Sequence, residues 1–478
     1  MEFTGRAADL AALAERLRLV AEGRAASRGA AVVITGRRRV GKSRLVQEFC
    51  DRSGLPYVIF QATRGRNPAA ERADFAATVA QSPLPGSDLV VDARPADWNA
   101  ALRALATAVP ADKPSIAVID EVPWLAEQDP EFEGALQTVW DRLLSARPVL
   151  LILVGSDLSV MEALTTYGRP FFGRAAKMKL RPLHLGDVAA MTRLGAADAV
   201  DAALLTGGFP EIVRSWRPRA SREDFLRESV SNPLSPLLAA GELTVLGEFP
   251  STTLTRSVLE AIGAGERTFS TIAAQAGGGE ALASGTLVPI LRALLAKGVV
   301  AVDLPLSMKS DTKNKRYRIA DTYLRCWLAL IAGVIPLIER GRPDIALSRI
   351  ERAWPSWRGR AVEPLVRQSL LRLLPDTRWA ETGALGGWWN RDNNPEIDLV
   401  GTDRSPVASR IDFAGSVKWY DSKPFTRHDY DQLARDVTAI PGATPDTALV
   451  AVSRTGFAGS LPLAATWGPD DLIRAWVR

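Results

Sequence analysis

Cysteine and histidine are scarce in this 478-residue chain: Cys50 and Cys326 are its only thiols, His184 and His428 its only imidazoles. Two cysteines without a C-x-x-C spacing exclude a disulfide framework and a cysteine-rich metal site, and they fit a reducing cytoplasm. Two histidines argue against an imidazole metal centre or a hydrolase that needs several imidazoles, which leaves both to structural duty. Long apolar runs are missing too. The best membrane candidate, Cys326 to Ile338, is too short to span a bilayer, and Met1-Glu2-Phe3-Thr4-Gly5-Arg6 lacks the apolar core of a signal peptide. The expectation is a soluble cytoplasmic protein that does not engage a membrane. Apolar and charged fractions of 47% and 24% are ordinary for a globular chain, and no segment is low-complexity. At ~150 residues per domain, the length implies about three domains. A net charge of +5 is compatible with a nucleic-acid partner without requiring one.

What is present is a phosphate-binding signature. Gly36-Arg37-Arg38-Arg39-Val40-Gly41-Lys42-Ser43 fits G-x-x-x-x-G-K-[ST] and follows the apolar run Ala30-Ala31-Val32-Val33-Ile34. Glycine at both ends permits a tight turn whose backbone N–H groups, from Gly36 and Val40 through Arg44, can face phosphates. Lys42 can then reach the β- and γ-phosphates, and the Ser43 hydroxyl can hold Mg²⁺. Val32 to Ile34 read as a buried strand, and Leu45, Val46 and Phe49 mark one face of the helix that follows.

A second apolar strand, Ser115-Ile116-Ala117-Val118-Ile119, ends in Asp120-Glu121 and resembles a Walker B strand. There Asp120 would hold Mg²⁺ and Glu121 would orient or polarise the attacking water. A third, Val149 to Val154, runs into Gly155-Ser156-Asp157, placing Ser156 where it can sense the γ-phosphate. Tyr57 to Phe60 supplies a fourth strand, and the alternation of strand and helix predicts a doubly wound α/β sheet.

With these motifs the chain resembles AAA+/STAND-type P-loop ATPases of the archaeal-ATPase group, which carry a helical lid, a winged helix and a nuclease-like carboxyl-terminal domain. Phe3-Thr4-Gly5-Arg6 is similar to the family's opening F-x-G-R, so Phe3, Gly5 and Arg6 are implied to pack near the adenine. Phe172-Gly173-Arg174 resembles the segment whose arginine is a finger, and Gly207-Gly208-Phe209-Pro210 the lid motif that brings Pro210 near the nucleotide. An arginine given across a boundary stabilises charge on the transferring phosphoryl group, the role implied for Arg174. Arg37 to Arg39 receive no specific role.

Between Thr253 and Arg318, helices at Ser257 to Ile262, Thr271 to Ala276 and Ala283 to Lys297 precede short strands at Val299 to Val302 and Lys315 to Ile319. This order predicts a winged helix-turn-helix. Its third helix offers only Thr286, Arg292 and Lys297 for base readout, whereas Lys309, Lys313, Lys315, Arg316 and Arg318 in the wing could neutralise phosphates. DNA contact and an adaptor role between domains stand level. Asp321-Thr322-Tyr323-Leu324-Arg325-Cys326-Trp327 opens an apolar helix that resembles the family's D-x-[FY]-[LI]-R-F-W packing segment.

The remainder resembles the DUF234 type of domain, related to PD-(D/E)xK nucleases, which need carboxylates converging on a metal ion and a lysine beside the attacking water. Glu363 on a helix, Asp398 in Glu396-Ile397-Asp398-Leu399-Val400 and Lys418 match that pattern. Ser416 stands where the second acid belongs, and a hydroxyl cannot replace a carboxylate on Mg²⁺. Asp412 shares the strand face of Ser416 but lies ~13 Å away. A degenerate nuclease fold used for binding DNA or protein is therefore favoured, with Lys418, Trp419, Lys423 and Arg427 leaving nucleic-acid contact open.

The expected architecture is a P-loop ATPase core over residues 1–185, a helical lid over 186–245, a winged helix over 246–340 and a restriction-endonuclease-like α/β domain over 341–478. The expected function is an ATP- and Mg²⁺-dependent molecular switch that alternates between ATP and ADP states, with DNA, a protein or a second copy of the chain as partner. An ATP-licensed, metal-dependent nuclease and a nucleotide-binding scaffold without turnover are the alternatives.

Overall fold

In the computed structural model, residues 3–25, 27–248, 253–265 and 267–477 are described. Met1 and Glu2 of the amino-terminal segment read above lie outside them. The chain divides into two compact units, Met1–Pro182 and Leu183–Arg478, so the segment 186–245 expected to form a lid, the three-helix segment and the carboxyl-terminal sheet share one unit.

The first unit is built on a five-stranded sheet of β1 (Ala30–Thr35), β2 (Tyr57–Gln61), β3 (Ser115–Asp120), β4 (Val149–Gly155) and β5 (Ala175–Lys179). Its order is β2-β3-β4-β1-β5 and every pairing is parallel. β3 and β4 are buried along their whole lengths, which is why they read as continuous apolar runs rather than alternating ones. Phe75, Trp98 and Phe132 pack edge to face beside the sheet, with centroids 5.7 and 5.1 Å apart. β5 was not foreseen. Its sequence Ala-Ala-Lys-Met-Lys is half exposed, so it lacks the apolar run that betrays its neighbours.

In the second unit, helices Thr253–Ala264, Phe269–Ala276 and Ser284–Ala296 precede the antiparallel ribbon of β6 (Val300–Asp303) and β7 (Arg316–Ile319). The first of these helices is longer at both ends than periodicity indicated. Thr268 caps the second, its hydroxyl accepting from the Thr271 N–H. The segment Thr322–Glu339 corrects the length expected from sequence: it is an 18-residue helical run with mean hydropathy 1.4, long enough to cross a bilayer by length and composition. Its interior is irregular, with a π turn at Trp327–Ile331. Tyr323 donates its hydroxyl to Leu237 O (2.8 Å) and Trp327 its indole N–H to Leu238 O (3.0 Å), tying this run into the unit's buried interior.

A second five-stranded sheet follows, made of β8 (Ala384–Trp389), β9 (Glu396–Thr402), β10 (Ile411–Lys418), β11 (Ala448–Ser453) and β12 (Ala465–Trp467). The strands lie in sequence order; β8-β9-β10 pair antiparallel and β10-β11-β12 parallel. A buried ionic node fastens this sheet to the helix Ala196–Thr206 of the same unit. Arg358, 1% exposed, donates to Asp201 at 2.9 Å, Asp421 at 2.7 Å and the Trp419 carbonyl at 3.0 Å. The Trp419 indole and Arg454 also reach Asp201, at 3.1 and 3.3 Å.

Candidate functional site

The carboxyl end of β1 feeds the phosphate loop, and the helix Lys42–Ser53 leaves it. β1 lies between β4 and β5, so the loop opens at the carboxyl edge of a parallel sheet, where open α/β sheets bind ligands. Arg39 and Gly41 take left-handed φ values of 65° and 88°, which fold the backbone back on itself. Gly36 is required by a close approach: a Cβ there would lie 2.5 Å from Leu180 O. Lys42 is buried and spans the loop, donating to Gly36 O at 2.9 Å and Arg37 O at 3.0 Å.

The two predicted magnesium ligands meet. Ser43 Oγ donates to Asp120 Oδ2 at 2.6 Å, although the residues are 77 positions apart, and Asp120 is buried. Its other oxygen, Oδ1, accepts from the Glu121 N–H at 2.8 Å. Glu121 adopts φ 56°, an uncommon conformation for a non-glycine residue. Ser156 Oγ, at the end of β4, donates to Glu121 Oε2 at 3.0 Å. Lys42, Ser43, Asp120, Glu121 and Ser156 therefore form one cluster from three strand ends.

Arg6 reaches the phosphate loop itself. Its guanidinium, buried, donates to the Val40 carbonyl at 2.7 Å and the Arg181 carbonyl at 2.6 Å, so it braces the phosphate loop against the end of the first unit. Phe3 lies beneath the guanidinium groups of Arg44 and Arg52, 5.9 and 5.7 Å from its ring centroid, and Arg44 also pairs with Glu48. Gly5 turns the chain into Arg6 with φ 82°. Arg174 is engaged in a bidentate pair with Asp141, both bonds 2.7 Å, and donates to Phe172 O. Pro210 belongs to the second unit, where it opens the helix Pro210–Ser215. His184 caps a helix there and stacks on Trp476, a structural role.

The second candidate cluster lies on β9, β10 and the helix Glu363–Leu373. Asp398 Oδ2 accepts from Ser416 Oγ at 3.0 Å and from the Val417 N–H at 2.8 Å. The serine read in the second acid's position thus donates to the first acid. Burial raises the Asp398 pKa against those two bonds, and it pushes the Glu363 carboxyl up to about 7 against the pull of Arg367. Arg367 binds Glu363 at 3.0 Å and the Asp398 carbonyl at 2.6 Å. Lys418 lies 3.7 Å from Asp429. Asp412 is occupied by Thr382 and Arg410, both at 2.6 Å. Among the described residues no group of three or more His, Cys, Asp or Glu side chains converges to hold a metal ion.

The wing read from sequence as a basic cluster is divided. Lys309, Lys313 and Lys315 are exposed, but Arg316 is buried, pairing with Glu396 at 2.5 Å, and stacks on Trp389 at 4.1 Å. Arg318 pairs with Asp303 at 2.8 Å. The loop between the ribbon strands is bonded to the second sheet and its flanks, through Leu306 N to Gly387 O, Met308 N to Pro441 O and the Trp389 indole to Asn314 O.

Residues 327–429 match DUF234. That family is described as archaea bacterial proteins of unknown function. The DUF234 segment holds Arg358, Glu363, Asp398, Ser416 and Lys418. Over 413 residues the chain is 25% identical to an uncharacterized protein of Methanocaldococcus jannaschii, covering 85% of this chain and 86% of that one. Similar solved structures include the Walker-type ATPase of Pyrococcus abyssi (18% identity, 68% of this chain, 96% of that chain, TM-score 0.46). The ORC2 protein of Aeropyrum pernix is another (15% identity, 71% of this chain, 95% of that chain, TM-score 0.47). With a five-stranded parallel sheet in the first unit, a phosphate-loop sequence at the end of β1 and a mixed five-stranded sheet in the second unit, the chain is of the α/β class.

Two features escaped the sequence reading. Arg6 was noticed for its motif, but its bonds to Val40 and Arg181 depend on long-range approach. Asp201 carried a usable signal, a carboxylate embedded among alanines and leucines of Ala196–Thr206, which marks a buried charge in want of a partner.

Proposed function

We propose that this chain is an ATP-hydrolysing switch whose turnover is carried out by the first unit and whose output is the second. The observation that carries the reading is the 2.6 Å bond between Ser43 and Asp120, beside Glu121 held by Ser156. A hydroxyl and a carboxylate converging at a phosphate loop are the hard oxygen donors that Mg²⁺ takes, so these residues fit the ion. Ser43 and Asp120 would hold it, and the bound ion would neutralise charge on the phosphates.

The loop's N–H groups bind phosphate oxygens, and Lys42 exchanges its two carbonyl partners for the β- and γ-phosphates. Glu121 accepts a hydrogen bond from the attacking water and orients it, while Ser156 decides when that carboxylate is available. Because Ser156 and Glu121 hold each other, the γ-phosphate competes for Ser156 and releases Glu121 only when the triphosphate is bound. Arg174 can act as a finger only after its pair with Asp141 opens.

Glu121→Gln is the direct test. The amide keeps the shape but loses the charge that orients water, so ATP binding should persist within about threefold while phosphate release falls ~10²-fold or more. Release that continues at the native rate would sink this assignment.

For the DUF234 segment we propose a role in binding rather than cutting, supported by Ser416 bonding Asp398 where a second carboxylate would be needed. Plasmid incubated with the native protein and Mg²⁺ or Mn²⁺ should remain uncut. Cleavage that disappears in Asp398→Ala would restore the nuclease alternative.

A further inference from the structure

A cavity of about 280 Å³ opens in the second unit, between the ribbon β6–β7, the helices Pro343–Ala361 and Glu363–Leu373, and the start of β9. Six arginines line it against three carboxylates, Asp303, Glu363 and Glu396, an excess of three positive charges. Four of the arginines are committed. Arg316 and Arg267 approach Glu396, Arg318 pairs with Asp303, and Arg367 with Glu363.

Arg325 differs. Among the described residues it has no carboxylate within ion-pair distance, and it donates to the Arg360 carbonyl at 3.3 Å. Burial pulls its pKa down to about 10, so it stays charged at neutral pH in a place that resists charge. A second donor points to the same need: the Trp357 indole N–H, on a residue lining the cavity, is buried without a hydrogen-bond partner. Buried donors are ordinarily satisfied, so a guanidinium without a counter-charge and an indole without an acceptor at one cavity call for an anion.

We propose that this cavity binds a phosphate-class anion, with Arg325 and Trp357 as its recognition donors. A planar guanidinium fork suits phosphate oxygens, and an excess of three charges suits a polyanion better than a single carboxylate. The phosphate belongs either to a small free anion or to a nucleic-acid backbone. The site is separate from the phosphate loop and does not depend on the ATPase reading.

The test titrates inorganic pyrophosphate into the full-length chain by calorimetry in a Lys42→Ala background, with a short single-stranded oligonucleotide in a parallel arm. Saturable pyrophosphate binding is expected, weakened at least tenfold by Arg325→Gln and about fivefold by Trp357→Phe, which keeps the ring and loses the donor. If the oligonucleotide binds with the same dependence and pyrophosphate displaces it, the ligand is a nucleic-acid phosphate. If pyrophosphate alone binds, it is a free anion. No saturable binding in either arm, or binding indifferent to both substitutions, overturns the proposal.

Discussion

Lys42→Ala should weaken ATP binding by about two orders of magnitude and remove measurable turnover. The reasoning starts from placement: the Lys42 ammonium is buried in the loop and holds Gly36 O and Arg37 O, so it is already oriented where phosphates would sit. A charged hydrogen bond of this kind contributes about 1.5–3 kcal/mol, and each ~1.4 kcal/mol is tenfold in affinity. The β- and γ-phosphates both lose it, so ATP should suffer more than AMP. Equilibrium binding of a fluorescent ATP analogue, with AMP as reference, would read the difference. Unchanged ATP affinity in a folded Lys42→Ala protein would refute the nucleotide site itself. Ser43→Ala supplies the contrast: its hydroxyl meets Asp120 rather than the loop carbonyls, so its deficit should grow as Mg²⁺ is lowered.

The first unit was largely legible because its chemistry is written in short contiguous patterns. β1, β3 and β4 are apolar runs, and each leads into a residue of the candidate site: Gly36, Asp120 and Ser156 lie directly after or at the strand termini. Parallel burial on both faces makes such strands conspicuous. β5, half exposed and carrying two lysines, has no such signature. The second unit was legible as elements but not as pairings. Arg316 read as one of five wing cations, yet it faces Glu396 across 80 residues, and periodicity carries no information about that approach. Ser416 was conspicuous as a departure from a motif; that it bonds Asp398 could be known only once β9 and β10 were paired. Arg174 likewise matched a motif, while Asp141, which engages it, lay in no motif at all.

Asp201→Ala should destabilise the second unit by about 3 kcal/mol. Removing one partner of a buried pair costs about 3–5 kcal/mol because the other charge is left without compensation. Here Asp421 remains within 2.7 Å of Arg358, which places the loss at the lower end. Asp201 also accepts from the Trp419 indole and from Arg454, so its removal takes an acceptor from three donors at once, on the helix Pro343–Ala361 and just beyond β10 and β11. Asp421→Ala provides the internal comparison. Its carboxylate is more than half exposed, and water can replace it, so about 1 kcal/mol or less is expected. Urea unfolding followed by far-ultraviolet dichroism should give a lower midpoint for Asp201→Ala at an unchanged slope. Adding Arg358→Met should recover part of the loss, because an apolar side chain of similar length needs no counter-charge. Two additive losses in that double variant would mean that Asp201 stabilises the unit through packing alone. Recovery would assign the node a further property: the helix Ala196–Thr206 and the second sheet would be fastened by charge, at a joint through which a change in one can be felt by the other.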